Sequence, residues 1–235
     1  MTTRVCVLDV ETRVSDDARA LLSASDRPTV ARSALLEVTA ASTLEFAISD
    51  RVTDFRMTTT QSAEAGEAAV IAAVDRALVE VGGAGSIVVT HNGSAHDLVV
   101  CARRAMHHWM LDARGVLDWW RNPPGEHVDT MLAFGDGSGR GPSLVDLAAG
   151  LGFPAAPPSR SLTRAIAPEA AKGQCDVLAT AICFLYMEAA RRGFAGWMAD
   201  AWGELSRYLL TPAIRAPHLM PLIDIGLGLA DGRPG

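Results

Sequence analysis

Lysine is almost missing from this 235-residue chain: Lys172 stands alone against 20 arginines. The plain reading of that imbalance is a coding preference for arginine. The single lysine is still a residue to locate, because lysine can give up its proton inside a site and arginine cannot. No run of 18 apolar residues occurs, which excludes a hydrophobic membrane-spanning helix. No basic segment followed by an apolar core opens the sequence, so the expectation is a cytoplasmic protein with no membrane partner. The four cysteines, Cys6, Cys101, Cys175 and Cys183, form no CxxC pair and are expected as reduced, buried thiols. Excess positive charge is also missing. A net charge of -6 argues against a broad nonspecific nucleic-acid surface. It leaves room for an enzyme that handles one strand end, since an acidic metal site is itself negative. No internal repeat and no linker-like stretch divides the chain. One domain over 1–210, followed by a Pro/Gly-rich tail over 211–235, is the expected organisation.

What is present begins with Val5-Cys6-Val7-Leu8-Asp9-Val10-Glu11-Thr12, a β-branched run ending in two carboxylates. Side chains alternate along a strand, so Asp9 and Glu11 share a face, about 7 Å apart. Two carboxylates on one face repel unless a positive charge lies between them, and a divalent metal is the simplest such charge. An exposed strand end is the bland alternative. Segments 36–48 and 51–60 read as strands joined at Ser49-Asp50, which makes an antiparallel meander with the first. Residues 63–81 carry an apolar stripe at helical spacing, closed by Gly82-Gly83. Ser86–Thr90 is a short strand of the kind buried on both faces, and a helix over 95–111 follows. Residues 112–127 read as irregular, with Trp119-Trp120-Arg121 as either a stacking surface or buried packing. A short helix from Asp129, a Gly-rich loop at 135–141, and helices at 143–150, 168–192 and 195–210 complete the order. The sum is an α/β fold with a mixed sheet flanked by helices.

Two further carboxylates stand out. Asp97 follows the short strand. It also fits a capping box with Ser94 as N-cap, a structural role that competes with metal binding. Asp176 lies in the middle of the long helix among core-facing residues, where an unpaired carboxylate costs several kcal/mol, so it needs a metal or a partner such as Arg164.

Taken in order, Asp9-Val10-Glu11-Thr12, His91-Asn92-Gly93 with Asp97-Leu98, and Cys175-Asp176-Val177 resemble the motifs of the DEDD superfamily of 3′–5′ exonucleases. The branch most resembled is the one related to the proofreading domain of family B DNA polymerases. The resemblance covers about residues 4–192, and Asp129-Thr130-Met131 and Ser143-Leu144 with Leu147 look like that family's intervening helices. It implies a ribonuclease H-like fold with a mixed five-stranded sheet. It also implies two Mg²⁺ or Mn²⁺ ions held by Asp9, Glu11, Asp97 and Asp176, and Thr12, Asn92 and Gly93, which belong to the matching motifs, are the expected substrate contacts. The implied activity is release of nucleoside 5′-monophosphates from single-stranded DNA or RNA 3′ ends.

The chain departs from that pattern at the general base. The family places Tyr four residues, or His five residues, before the last Asp; here those positions hold Lys172 and Ala171. Helical spacing puts Lys172 on the same face as Asp176. Three readings stay open: Lys172 orients the water or holds the phosphate, the base is His96 or His127, or the domain is a weakened or inactive binding module. The C-terminal helix and tail leave a homo-oligomer open as well.

Overall fold

Alternation decides the first element. In β1 (Thr3–Val14), Val5 and Val7 enter one buried cluster while Cys6, Leu8 and Val10 enter the other, so the strand is covered on both faces. The computed structural model describes residues 2–23, 32–137, 141–155, 168–212 and 214–231. Arg164 and part of the Gly-rich loop, 138–140, lie outside those residues.

Helix α1 (Asp16–Ser23) follows, then β2 (Leu36–Ile48) and β3 (Val52–Gln61), which pair antiparallel as expected. The helix expected over 63–81 is two pieces, α2 (Ser62–Ala65) and α3 (Glu67–Val81). Gly66 separates them at φ 84°, a left-handed conformation that glycine adopts without steric cost. Strand β4 (Ile87–Thr90) runs parallel to β1, and α4 (Asp97–His107) follows it.

The stretch expected to be irregular contains α5 (Arg114–Arg121) and the fifth strand, β5 (Glu126–Asp129), parallel to β4. Strand β5 carries no local signal, whereas α5 has Val116, Trp119 and Trp120 at i, i+3, i+4, a helical pattern too short to stand out beside Pro123-Pro124. Helix α5 forms because Val116 and Trp119 are buried beside α3, with the Trp119 indole donating to Leu78 O at 3.3 Å. Trp119 is therefore core, and Trp120 is half-buried with the Arg121 guanidinium 5.3 Å over its ring. Strand β5 has four residues, too few to alternate visibly, and owes its conformation to the ladder with β4.

Helices α6 (Thr130–Ala133), α7 (Leu144–Gly150), α8 (Pro168–Arg192) and α9 (Ala195–Leu209) come next. Residues expected as tail form α10 (Met220–Ala230), with Leu222 and Ile223 buried and the Trp202 indole donating to Leu222 O at 3.1 Å. The sheet order is β3-β2-β1-β4-β5, a mixed five-stranded sheet flanked by helices as expected, with β1 at its centre. One core lies under α8, α9 and α10, the other under α3, α4 and α5. All four cysteines are free and buried, and no helix among the described residues is long and apolar enough to cross a membrane.

Candidate metal centre

Asp9 and Glu11 lie at odd positions of β1, with Val5 and Val7, and so face α8. A register shift in the β1–β2 ladder falls between Glu11 and Thr12, the kind of irregularity that re-aims side chains beside a site. Helix α8 comes close because residue 173 is glycine. A Cβ there would stand 2.8 Å from Ser42 Oγ and 3.4 Å from Asp9 Oδ2. Three residues later α8 supplies Asp176. One carboxylate oxygen from each of Asp9, Glu11 and Asp176 lies within 4.8 Å of the other two. Asp9 Oδ2 is buried and has no hydrogen-bond partner.

Lys172 joins this cluster. Its ammonium donates to Glu11 Oε1 at 2.5 Å and to Asp176 Oδ2 at 2.7 Å. Burial opposes the charge on Lys172, but Asp176 and Glu11 outweigh it and hold the amine protonated well above the ordinary lysine range. Burial raises Asp9, and the neighbouring charges of Asp97, Asp176 and Glu11 raise it further. Burial also raises Glu11, with the Lys172 hydrogen bond opposing.

Asp97 is 3% exposed and begins α4, but it stays outside the trio. Its carboxylate accepts the Val10 N–H, while burial and the charge of Asp129 push its pKa well up. The capping box is not formed: the residue preceding the helix is His96, whose side chain makes no cap bond. Asn92 and Gly93 shape the turn into α4. Asn92 adopts φ 67°, and a Cβ on Gly93 would stand 2.3 Å from Thr90 Oγ1.

Of the two histidines considered as bases, His96 is beside the cluster. Its Nε2 is 3.4 Å from Thr12 Oγ1, and burial, together with Lys172, lowers its pKa. His127 instead pairs with Thr90 Oγ1 at 2.9 Å across β4 and β5. His108 and Arg104 both bind Glu67, which accounts for them structurally.

Two groups of supporting residues escaped sequence reasoning. Asp129 accepts the Asn92 and Ser94 N–H groups at 2.8 and 3.0 Å and caps α6 through Met131 N, so it clamps the turn that leads to Asp97. Its position opening a short helix was the only local signal, and that accounts for the cap alone. The second group is a polar chain from Ser42, opposite Asp9 in the ladder, through Thr59 and Gln174 to His218. It ties β2, β3 and α8 to the segment before α10, and nothing local marks it.

No known family model matches the chain, and no curated protein matches it in sequence. Among solved structures, a zinc-ion-bound form of E. coli exonuclease I in complex with single-stranded DNA is similar at 12% identity. That alignment covers 82% of this chain and 41% of that one, with a TM-score of 0.42. The family B DNA polymerase of Pyrobaculum calidifontis is similar at 14% identity over 95% of this chain and 27% of that one, TM-score 0.42. E. coli exonuclease I with a dT13 oligonucleotide is similar at 12% identity over 87% and 46%, TM-score 0.41. This chain thus spans less than half the length of each of these three structures.

Proposed function

We propose that this chain is a metal-dependent 3′–5′ exonuclease that removes nucleoside 5′-monophosphates from single-stranded DNA or RNA ends. One observation carries the reading: oxygens of Asp9, Glu11 and Asp176 converge within 4.8 Å, and Asp9 Oδ2 is buried without a partner. The donor set is all carboxylate oxygen, which suits hard cations such as Mg²⁺ or Mn²⁺ rather than thiolate-seeking metals. In this reading Asp9, Glu11 and Asp176 hold two such ions, with Asp97 joining them. Bound there, the ions supply Lewis acidity for phosphodiester hydrolysis.

The protein's own groups then have separate tasks. Thr12, Asn92 and Gly93, on the β1 end and the β4–α4 turn, line the approach of the strand end. Lys172 offers a cation to the scissile phosphate. His96, whose Nε2 lies 3.4 Å from Thr12 Oγ1, is the proton acceptor in this reading. A second reading is favoured by the two Lys172 ion pairs, which partly neutralise the cluster without any metal. In that case the domain binds nucleic acid or a protein without cleaving.

The test is incubation with 5′-labelled single-stranded DNA and RNA oligonucleotides in Mg²⁺ or Mn²⁺. A descending ladder that Asp9→Ala abolishes supports the exonuclease. No ladder on either strand type, or an undiminished ladder from Asp9→Ala, rejects it.

A further inference from the structure

Lys172 is the cation already inside the cluster. It engages Glu11 and Asp176, two of the three converging carboxylates, while Asp9 Oδ2 engages nothing. The same helix delivers both Lys172 and Asp176, four residues apart, so the ammonium is tethered one turn from its partner. Exposure is unequal across these pairs. The lysine side chain is 56% exposed, against 15% for Glu11 and 16% for Asp176. The ammonium can swing into solvent on its flexible stem, whereas the carboxylates are held by β1 and by the packing of α8.

We propose that Lys172 is a tethered counter-cation. It compensates Glu11 and Asp176 in the metal-free protein, and a divalent cation binds by displacing it. The inference rests on the metal-centre reading above. It has two consequences. Metal affinity is lower than the carboxylates alone would give, because two charge-assisted hydrogen bonds are surrendered on binding. Metal loading also releases an ammonium at the rim of the site, free to meet an incoming phosphate.

The experiment titrates Mn²⁺ alone, without nucleic acid, into the chelator-stripped full chain by calorimetry, with thermal unfolding in parallel. Wild type is compared with Lys172→Met, which keeps the stem and removes the charge, and with Lys172→Gln, which keeps a polar end. Both variants should bind Mn²⁺ on the order of tenfold more tightly, equivalent to about 1.4 kcal/mol. Both should also melt lower without metal and gain more from it than wild type. Affinity that is unchanged or weaker in both variants, with wild type binding, overturns displacement and leaves the metal centre standing. Absence of binding in wild type and both variants removes the metal centre and the inference together. Undiminished binding by Asp9→Asn places the ion elsewhere and does the same.

Discussion

At the scale of single residues, Gly173 sets how closely the cluster can assemble. An alanine in a helix interior is normally worth about 1 kcal/mol over glycine. At 173 the added Cβ meets Ser42, which is 1% exposed and already hydrogen-bonded to Thr59, and it crowds Asp9 Oδ2. Overpacking of this kind costs about 1–3 kcal/mol. Gly173→Ala should therefore lower the urea midpoint despite its better helix propensity, and weaken Mn²⁺ binding. A stabilised variant with unchanged affinity would show that α8 can stand further off without harm. Asp9, Glu11, Lys172 and Asp176 were legible in the sequence because strand and helix periods place them. Ser42 and Asp129 were not, since their partners lie far away in sequence. Asp97 was legible as a position but not in its setting. Its carboxylate accepts the Val10 N–H, a contact that exists only once β1 and α4 are side by side.

At the scale of elements, β1, β2, β3, α3 and α8 were readable, because each is a long apolar or patterned run bounded by turn or breaker residues. Of the missed pieces, β5 and α10 take their conformation from neighbours, while α5 carries its own short helical pattern in Val116, Trp119 and Trp120. Helix α10 shows how much such a piece contributes. Leu219, Leu222 and Ile223 are almost fully buried, and His218 Nε2 reaches Gln174 Oε1 at 2.8 Å, next to the segment that bears Asp176. Burying each such aliphatic side chain stabilises by about 1.5–3 kcal/mol. Ending the chain at Thr211 should therefore cost on the order of 5 kcal/mol or more, comparable to the whole stability of many domains. The shortened protein should show a much lower urea midpoint and a broadened or missing transition by circular dichroism. An unaltered midpoint would mean that α10 is dispensable packing.

At the scale of the whole molecule, the buried carboxylates tie stability to pH. Asp9 and Asp97 have pKa values raised well above 3.8 in the folded protein, through burial first and neighbouring carboxylates second. Between 3.8 and those raised values the folded state binds more protons than the unfolded state, so stability falls as pH rises. Their contribution is fully present below about 3.8 and is lost as pH climbs through the folded values. Glu67 works the other way: against burial, Arg104, the Val38 N–H and His108 hold it low. The clean readout is therefore a difference. In chelator, from about pH 4 to about pH 8, wild-type Tm minus that of Asp97→Asn should decline with pH. Divalent metal should reverse the trend, because bound ligands must be ionised. A pH-independent difference would remove Asp97 from the titrating set.

The sequence by itself determined that Asp9 and Glu11 share a strand face, and that Lys172 and Asp176 share a helix face. Both follow from backbone repeats of a few residues, which any chain segment carries within itself. The tertiary structure alone decided which carboxylates meet, that the lysine lies on Glu11 as well as on its helical neighbour, and that Asp97 stands outside the trio. Those outcomes depend on contacts between residues as far apart as Glu11 and Lys172, 161 positions along the chain, and no local period encodes such a meeting.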